Sequence, residues 1–185
     1  MKNIILGVTG SIAAYKAADI TNKLVKNGFD VHVVMTEGAT KFIAPLTFQS
    51  LSGNKVSVDI FQEKEPSEIK HINLSQQAHA FLIAPITANV IGKLASGIAD
   101  DMLTCLGLST HGIPKIIAPA MNTRMYENSI VQENIEKLKK HGYKVIEPRT
   151  SRLACGIVGK GALADVDDII NCVLMETKVN EKNGD

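Results

Sequence analysis

The stretch NIILGVTGSIAAYKAADITNKLVKNGFDVHVVM, residues 3–35, reads as a strand, a helix and a second strand. Residues 3–8 and 29–35 are apolar runs with the length and composition of buried strands. Between them, residues 12–26 form a helical pattern that ends at Asn27 and Gly28. A unit of this length predicts two parallel strands joined by a right-handed crossover.

Further apolar runs at residues 80–84, 115–118 and 144–146 continue the pattern, and helical segments separate them. The chain is therefore predicted to be an α/β protein with a single-domain, Rossmann-like (flavodoxin-like), doubly wound parallel sheet and helices on both faces. Its 185 residues fit one domain. We assign residues 1–176 to that domain and predict that residues 177–185 form a polar, disordered tail.

The composition of the chain argues against several classes of protein, including nucleic-acid-binding, membrane-spanning and disulfide-rich proteins. A net charge of +1 and an aromatic content of 4% argue against a nucleic-acid or anionic-membrane partner. The three cysteines, Cys105, Cys155 and Cys172, are unclustered and predict neither a metal site nor a disulfide framework. The long apolar stretch near residues 81–91 is interrupted by polar residues and proline, so it does not predict a membrane span. We expect a cytoplasmic protein.

Small and hydroxyl-bearing residues follow the carboxyl ends of three predicted strands: Gly10 and Ser11, then Thr36, then Thr87. Ligands bind at that edge of open α/β sheets, and amides at a helix start attract phosphate. Neither GxGxxG nor GxxxxGK[ST] is present. The alternative is that Ser11 and the threonines are only helix N-caps; residue types favour this for Ser11, and both roles are compatible at Thr36.

The segment PAMNTRMY, residues 119–126, follows the apolar run of residues 115–118. Pro119 lacks a backbone donor, so the strand should end there. Asn122 then lies just beyond the strand, where its amide, next to Arg124, could hold a carboxylate. An ordinary turn residue at Asn122 explains the residue types equally well.

Weaker candidates come from three other places in the chain. Residues 148–163 are rich in glycine and predict a mobile loop that could present Cys155 to a ligand, although a chance thiol is an alternative. His71 stands at the entry of a predicted short helix, and sequence alone favours a surface capping residue. Asp100 and Asp101 resemble a metal pair, but acidic residues at a helix start are more often explained by the helix dipole.

Three separated stretches together resemble one family, the homo-oligomeric flavin-containing cysteine decarboxylases. They are residues 119–126, which match the motif PxMNxxMW with Tyr126 in the last place, residues 10–16, and residues 153–156 followed by Gly159 and Gly161. The resemblance covers residues 2–175. It implies FMN-dependent decarboxylation of 4′-phosphopantothenoylcysteine to 4′-phosphopantetheine in coenzyme A biosynthesis. The flavin would oxidise the thiol, carbon dioxide would leave, and the resulting enethiolate would be reduced again.

The resemblance and the strand ends together assign site residues. The expected FMN-binding residues are Gly10, Ser11, Ile12, Thr36, Glu37, Gly38, Thr87, Ala88, Asn89, Val90, Ile91 and Met121. The resemblance implies that Asn122 binds the substrate carboxylate, that His71 assists the early step, and that Cys155 is the proton donor. Substrate contacts are expected at Asn122, Arg152, Ala154 and Leu163. Ile157 replaces the aspartate that usually follows the Cys-Gly pair in the family, which removes any role carried by that carboxylate.

The family resemblance also implies partners and alternatives. Family members are trimers or larger assemblies of trimers up to dodecamers, and the synthetase that makes the substrate is expected on a separate chain. The alternatives of the same fold are a peptidyl-cysteine decarboxylase, a flavin prenyltransferase and a non-catalytic flavin-binding regulatory subunit. A bare FMN electron carrier is a further alternative. The Asn122 motif together with the Cys155 loop argues against a prenyltransferase, and the pattern Ala154-Cys155-Gly156 argues against a peptide-specific decarboxylase. The presence of His71, Asn122 and Cys155 argues against a regulatory subunit, and the glycine-rich loop argues against an electron carrier.

Overall fold

The computed structural model describes residues 1–60, 70–152 and 158–182, and for residues 70–72, 152 and 179–182 it describes the backbone alone. Five strands form a parallel sheet in the order β2-β1-β3-β4-β5. Their bounds are β1 (Lys2–Val8), β2 (Phe29–Met35), β3 (Ala78–Ile86), β4 (Lys115–Pro119) and β5 (Tyr143–Val145). The predicted flavodoxin-like parallel sheet is confirmed.

Helices cover both faces of this sheet. The bounds are α1 (Lys16–Lys26), α2 (Glu37–Thr40), α3 (Pro45–Ser52), α4 (Lys70–Gln77), α5 (Ala88–Ala95), α6 (Met102–Ser109), α7 (Thr123–Tyr126), α8 (Ser129–Lys140) and α9 (Val166–Lys182). A 3-10 turn (Ile12–Tyr15) precedes α1, so the predicted helix of residues 12–26 consists of two pieces.

Alternate residues of β1 divide the core in two. Ile4 and Leu6 pack in one cluster with α1, α3 and α9, whereas Ile5 packs in a second cluster with α5, α6 and α8. Since successive side chains of a strand point to opposite faces, the two clusters lie on opposite sides of the sheet. Strands that are buried on both faces explain why the sequence shows continuous apolar runs rather than alternation.

Residues 148–163 are more regular than predicted. Two antiparallel strands, β6 (Arg149–Arg152) and β7 (Val158–Ala162), form a separate two-stranded sheet. The prediction of an irregular loop is therefore wrong for both strands. Residues 153–157, with Ala154 and Cys155, lie outside the described residues.

The carboxyl-terminal helix is longer than predicted. Helix α9 continues to Lys182, beyond the helix end that the sequence indicated, whereas the assignment of residues 177–185 to a disordered tail stays a prediction. Thr177 is buried, its hydroxyl donates to the Val173 carbonyl at 2.8 Å, and its own carbonyl accepts from Lys2 Nζ at 2.8 Å. These contacts attach the polar end of the helix to the sheet. Within the described part of the chain, no helix is long and apolar enough to cross a membrane.

Candidate functional site

A cleft of about 960 Å³ opens at the carboxyl ends of β1, β2, β3 and β4. The chain runs from β1 to β2 on one side of the sheet, whereas it runs from the neighbouring β3 to β4 on the other side. The cleft occupies the switch point between β1 and β3. Eleven of the twelve predicted FMN-binding residues line it: Gly10, Ser11, Ile12, Thr36, Glu37, Gly38, Thr87, Ala88, Asn89, Val90 and Met121. Asn122 and Leu163 line it as well.

Ile91 is the predicted cofactor residue that the cleft excludes. Its side chain is fully buried and packs in the core cluster with α6 and α8. In the first turn of α5, Ala88, Asn89 and Val90 reach the cleft, and the helical rotation carries the next residue toward the sheet. Ile91 therefore does not line the cleft, and its role in FMN binding stays a prediction.

Each loop around the cleft begins with a side chain that caps the following helix. Ser11 Oγ accepts from the Ala13 amide at 3.3 Å, and Thr36 Oγ1 accepts from the Ala39 amide at 3.2 Å. Thr87 Oγ1 accepts from the Val90 amide at 3.5 Å. The alternative interpretation as N-caps is thus correct for these residues, and it is compatible with a place in the cleft wall.

Gly10 and Gly38 let the first two loops meet. A Cβ atom on Gly10 would lie 3.0 Å from the Gly38 carbonyl carbon, closer than an ordinary contact. The backbones at the ends of β1 and β2 therefore touch and leave a shallow, side-chain-free surface. Such a surface beside helix starts suits a phosphate, and the small apolar wall formed by Ala88 and Val90 leaves room for a flat ring.

Thr9 ties the ends of β1 and β3 together and was not identified from the sequence. It is fully buried, its hydroxyl donates to the Pro85 carbonyl at 2.8 Å, and it accepts from the Thr87 amide at 3.0 Å. Ser11 connects the loop after β1 to the end of β4, since its hydroxyl donates to the Ala120 carbonyl at 3.3 Å. The signal that could have identified Thr9 is a hydroxyl directly after the last residue of an otherwise apolar strand.

Asn122 lies just past the carboxyl end of β4, as the sequence predicted, with Ala120 and Met121 between them. Its Oδ1 accepts from the Arg124 amide at 2.9 Å and so caps the single turn of α7. This turn is fastened to β7 by backbone contacts. The Met121 amide donates to the Gly161 carbonyl at 2.9 Å, and a Cβ on Gly161 would lie 2.2 Å from the Met121 oxygen.

Gly159 makes the same kind of approach. A Cβ there would lie 2.3 Å from Thr123 Oγ1. The glycines of β7 therefore permit close packing against the turn that carries Asn122, a role that the sequence pattern, which indicates mobility, does not reveal. The residues on either side of the strand, Arg149 and Ser151 on β6 and Leu163 after β7, also line the cleft.

A buried tyrosine supports the same turn from behind. Tyr126 donates its hydroxyl hydrogen to Glu147 Oε2 at 2.6 Å, and Lys160 Nζ of β7 donates to the same oxygen at 2.8 Å. Burial alone would raise the pKa of the Glu147 carboxyl, but the hydrogen bonds from Lys160 and Tyr126 outweigh it and hold that pKa below its ordinary value. Burial and the Glu147 carboxylate raise the pKa of the Tyr126 hydroxyl well above its usual range, so it remains a donor.

The rim of the cleft is apolar and exposed. Ile12 and Tyr15 are each 61% exposed, and Phe42 is 50% exposed. Lys93 also reaches the cleft, where Asp100 accepts from its ammonium at 2.8 Å. Asp101 caps α6 by accepting from the Thr104 amide at 2.8 Å, so the interpretation as a helix-start residue is correct for Asp101, whereas Asp100 precedes the cap.

The remaining predicted catalytic residues fall at the limits of the described chain. His71 lies in the first turn of α4, and its side chain is outside the described residues, as is that of Arg152 on β6. The structure therefore brings Asn122, Leu163 and eleven of the predicted cofactor residues to one cleft. The roles of all of them stay predictions, as do those of His71, Arg152, Ala154 and Cys155, which the described residues do not place in the cleft.

Comparisons with known proteins find a flavoprotein family and relatives in coenzyme A biosynthesis. A family model described as Flavoprotein matches residues 1–178. The chain is 54% identical over 170 residues to a probable phosphopantothenoylcysteine decarboxylase of Streptococcus mutans serotype c, covering 91% of this chain and 95% of that protein. It is 51% identical over 169 residues to the coenzyme A biosynthesis bifunctional protein CoaBC of Bacillus subtilis, covering 91% of this chain but only 41% of that protein.

Solved structures give the same result. A serine-for-cysteine mutant of PPC decarboxylase complexed with pantothenoylaminoethenethiol has a TM-score of 0.84 and 29% identity, with coverage of 94% of this chain and 97% of that one. The FMN-dependent cysteine decarboxylase SpaF has a TM-score of 0.83 and 29% identity, with coverage of 96% and 98%.

Proposed function

The chain belongs to the Flavoprotein family, and we propose that it is an FMN-dependent decarboxylase that converts 4′-phosphopantothenoylcysteine to 4′-phosphopantetheine in coenzyme A biosynthesis. The observation that supports this most directly is the position of Asn122. It lies in the wall of the same cleft as the phosphate-compatible Gly10–Gly38 surface, so a carboxylate-binding amide and a cofactor site adjoin.

The proposed reaction needs redox chemistry that the side chains of the cleft do not supply and that a bound FMN would supply. FMN in this cleft would supply reversible two-electron chemistry, which lets the cysteine thiol of the substrate be oxidised before carbon dioxide leaves and reduced afterwards. The loops at Gly10, Thr36 and Thr87 would hold its phosphate and sugar side, and Ala88 and Val90 would pack against its ring. The residues present fit this group, because their backbone surface and small side chains face one continuous cleft.

Asn122 would bind the substrate carboxylate through its amide nitrogen. Its Oδ1 accepts the capping hydrogen bond from the Arg124 amide, so only Nδ2 is suited to donate to an anion. The substrate carboxylate must lose its charge as it becomes carbon dioxide. A neutral amide suits this step better than a cationic side chain, because a full ion pair would stabilise the charged ground state.

Three further roles rest on the resemblance. His71 would position the substrate during oxidation and decarboxylation, and Cys155 would deliver a proton to the enethiolate carbon. A thiol with an ordinary pKa of about 8.5 is protonated at neutral pH, as a proton donor must be. Arg152, Ala154 and Leu163 would contact the substrate, and of these Leu163 lines the cleft.

The assembly proposed for this enzyme is a homo-oligomer built from trimers. The exposed apolar rim of Ile12, Tyr15 and Phe42 supports it, because a neighbouring copy would cover these side chains. We further propose that the substrate is made outside residues 1–178, since the chain spans less than half of its bifunctional relatives. Light scattering on the purified protein tests the first of these proposals.

The reaction itself is tested by mass spectrometry. The purified protein, loaded with FMN, is incubated with 4′-phosphopantothenoylcysteine without any added oxidant. We expect the substrate to lose about 44 Da, the mass of one molecule of carbon dioxide. The reaction should continue over many turnovers without an oxidant, because the flavin is restored within each cycle. If this substrate is unchanged while a peptide with a carboxyl-terminal cysteine is decarboxylated, the proposed substrate is wrong and the peptidyl-cysteine alternative is correct.

A further inference from the structure

Three side chains from separate parts of the chain meet behind the Asn122 turn, and we call them the Tyr126 latch: Tyr126, Glu147 and Lys160. Tyr126 and Lys160 donate to the same carboxylate oxygen of Glu147, at 2.6 Å and 2.8 Å. Lys160 Nζ also lies 5.4 Å from the centre of the Tyr126 ring, within cation–π range. One carboxylate thus joins α7 to β7.

The latch is rigidly connected to Asn122. Tyr126 is buried, and its amide donates to the Asn122 carbonyl at 3.0 Å, so the two residues close the same helical turn. Helix α8 holds the latch from its other side, where Lys139 Nζ lies 3.7 Å from Glu147 Oε1 and Gln132 donates to the Tyr126 carbonyl. A displacement of Tyr126 must therefore move Asn122.

Strand β7 is connected to the same turn from the opposite side. Lys160 stands between Gly159 and Gly161, the two glycines that contact Thr123 and Met121. The backbone bond from Met121 to Gly161 connects β7 to the start of the turn. The end of the turn is connected to β7 through Glu147, which accepts from both Lys160 and Tyr126. Two attachments prevent the turn from rotating on β7, which one attachment would allow.

From this geometry we propose that the Tyr126 latch is a positioning unit that sets the Asn122 turn against β7 and so aligns Asn122 with the substrate carboxylate. The inference rests on the proposed function. None of the three latch side chains lines the cleft, so the latch acts through Asn122 and not by contact with the substrate. Its effect should be confined to ligands that carry the carboxylate.

The test compares Tyr126→Phe, Lys160→Met and the double variant with the wild-type FMN-loaded enzyme. For 4′-phosphopantothenoylcysteine we expect kcat/KM to fall about tenfold in each single variant, because small displacements of a positioning group have large kinetic effects. The product, 4′-phosphopantetheine, lacks the carboxylate, so its Kd and that of FMN should change less than about twofold. Because both substitutions open one unit, the double variant should lose little more than either single variant.

Two further variants complete the design. Lys160→Arg retains a cation that can donate to Glu147 and should recover most of the activity. Glu176→Gln breaks a comparable ion pair, to Lys144 at 2.6 Å, which includes none of the three latch residues, and should leave kcat/KM unchanged. Equal weakening of substrate and product, or unchanged substrate kinetics in both Tyr126→Phe and Lys160→Met, would overturn the proposal.

A measurement without substrate separates this inference from the proposed function. Hydrogen exchange at the Met121 amide, which donates to Gly161, should be faster in the latch variants and unchanged in Glu176→Gln. If the wild-type enzyme leaves the substrate intact, the proposed function is wrong, whereas unchanged Met121 exchange in the latch variants shows that the latch does not hold the turn.

Discussion

Replacement of Gly161 by alanine tests whether β7 is there to hold the Asn122 turn. The added methyl carbon would lie 2.2 Å from the Met121 carbonyl oxygen, whereas ordinary contacts begin near 3.4 Å. Because the opposing atom belongs to the backbone, it cannot rotate away. Strand and turn must separate by about 1 Å, which stretches the 2.9 Å bond from the Met121 amide beyond the ~3.2 Å range of such bonds.

The expected magnitude combines two terms. Overpacking typically costs about 1–3 kcal/mol, and the lost hydrogen bond costs about 1 kcal/mol. We therefore expect a loss of about 3 kcal/mol, which for a chain of this size lowers Tm by roughly 6–12 °C. The same variant should show weaker substrate turnover, because the turn that carries Asn122 is displaced.

Thermal melting followed by circular dichroism measures this effect, with Gly92→Ala as the matched control. A Cβ on Gly92 in α5 would meet its nearest neighbour, Asn134, at an ordinary 3.9 Å, and alanine favours the helix by up to about 1 kcal/mol. Gly92→Ala should therefore keep or raise Tm. A Gly161→Ala variant that melts within about 2 °C of the wild type would show that β7 is not packed against the turn as described.

Thr9→Val keeps the shape of the side chain but removes the hydroxyl between the Pro85 carbonyl and the Thr87 amide; it should cost about 1–3 kcal/mol in a urea titration and weaken FMN binding measured by fluorescence. Glu147→Gln should lower Tm more at pH 7 than at pH 3: the pKa of folded Glu147 is depressed, so its stabilisation is fully present above the unfolded value of about 4.3 and decreases as the pH falls toward the folded pKa. An equal loss of Tm at both pH values would contradict this. Asn122→Asp should keep the helix cap and hence Tm, yet lower kcat/KM by at least about tenfold, because a carboxylate cannot donate to the substrate carboxylate; unchanged kinetics would remove Asn122 from the carboxylate site.

The sheet could be predicted because its signal is local. Strands such as β1 and β3 are buried on both faces, so each shows an uninterrupted apolar run that a reader of the sequence can detect. Strand ends are equally local, and Pro119 ends β4 as expected. The cleft then follows from the order of parallel strands, whose carboxyl ends share one edge.

The hairpin and the latch could not be predicted, because their causes are distant in the chain. Strand β7, VGKGA, has too many glycines for a strand pattern. Those glycines are explained by the close contact of β7 with Met121 and Thr123, which leaves no room for a side chain. Tyr126 and Glu147 are 21 residues apart, and no local rule pairs them. The end of α9 was missed for a similar reason, since the partner of Thr177 is Lys2.

The choice between cap and ligand-binding residue, which the sequence left open at several strand ends, is not an exclusive one. A helix cap needs an oxygen that accepts from an amide, whereas a bound phosphate or carboxylate needs a donor. Threonine and asparagine carry both functions: Thr36, Thr87 and Asn122 use an acceptor oxygen for the cap, and the same side chains possess a hydroxyl or amide donor. Aspartate caps helices equally well but would repel an anion. It occurs in this role at Asp101, where the neighbouring Lys93 compensates its charge. The caps at Thr36, Thr87 and Asn122 are therefore compatible with an anionic ligand, even though each of them also explains a helix start.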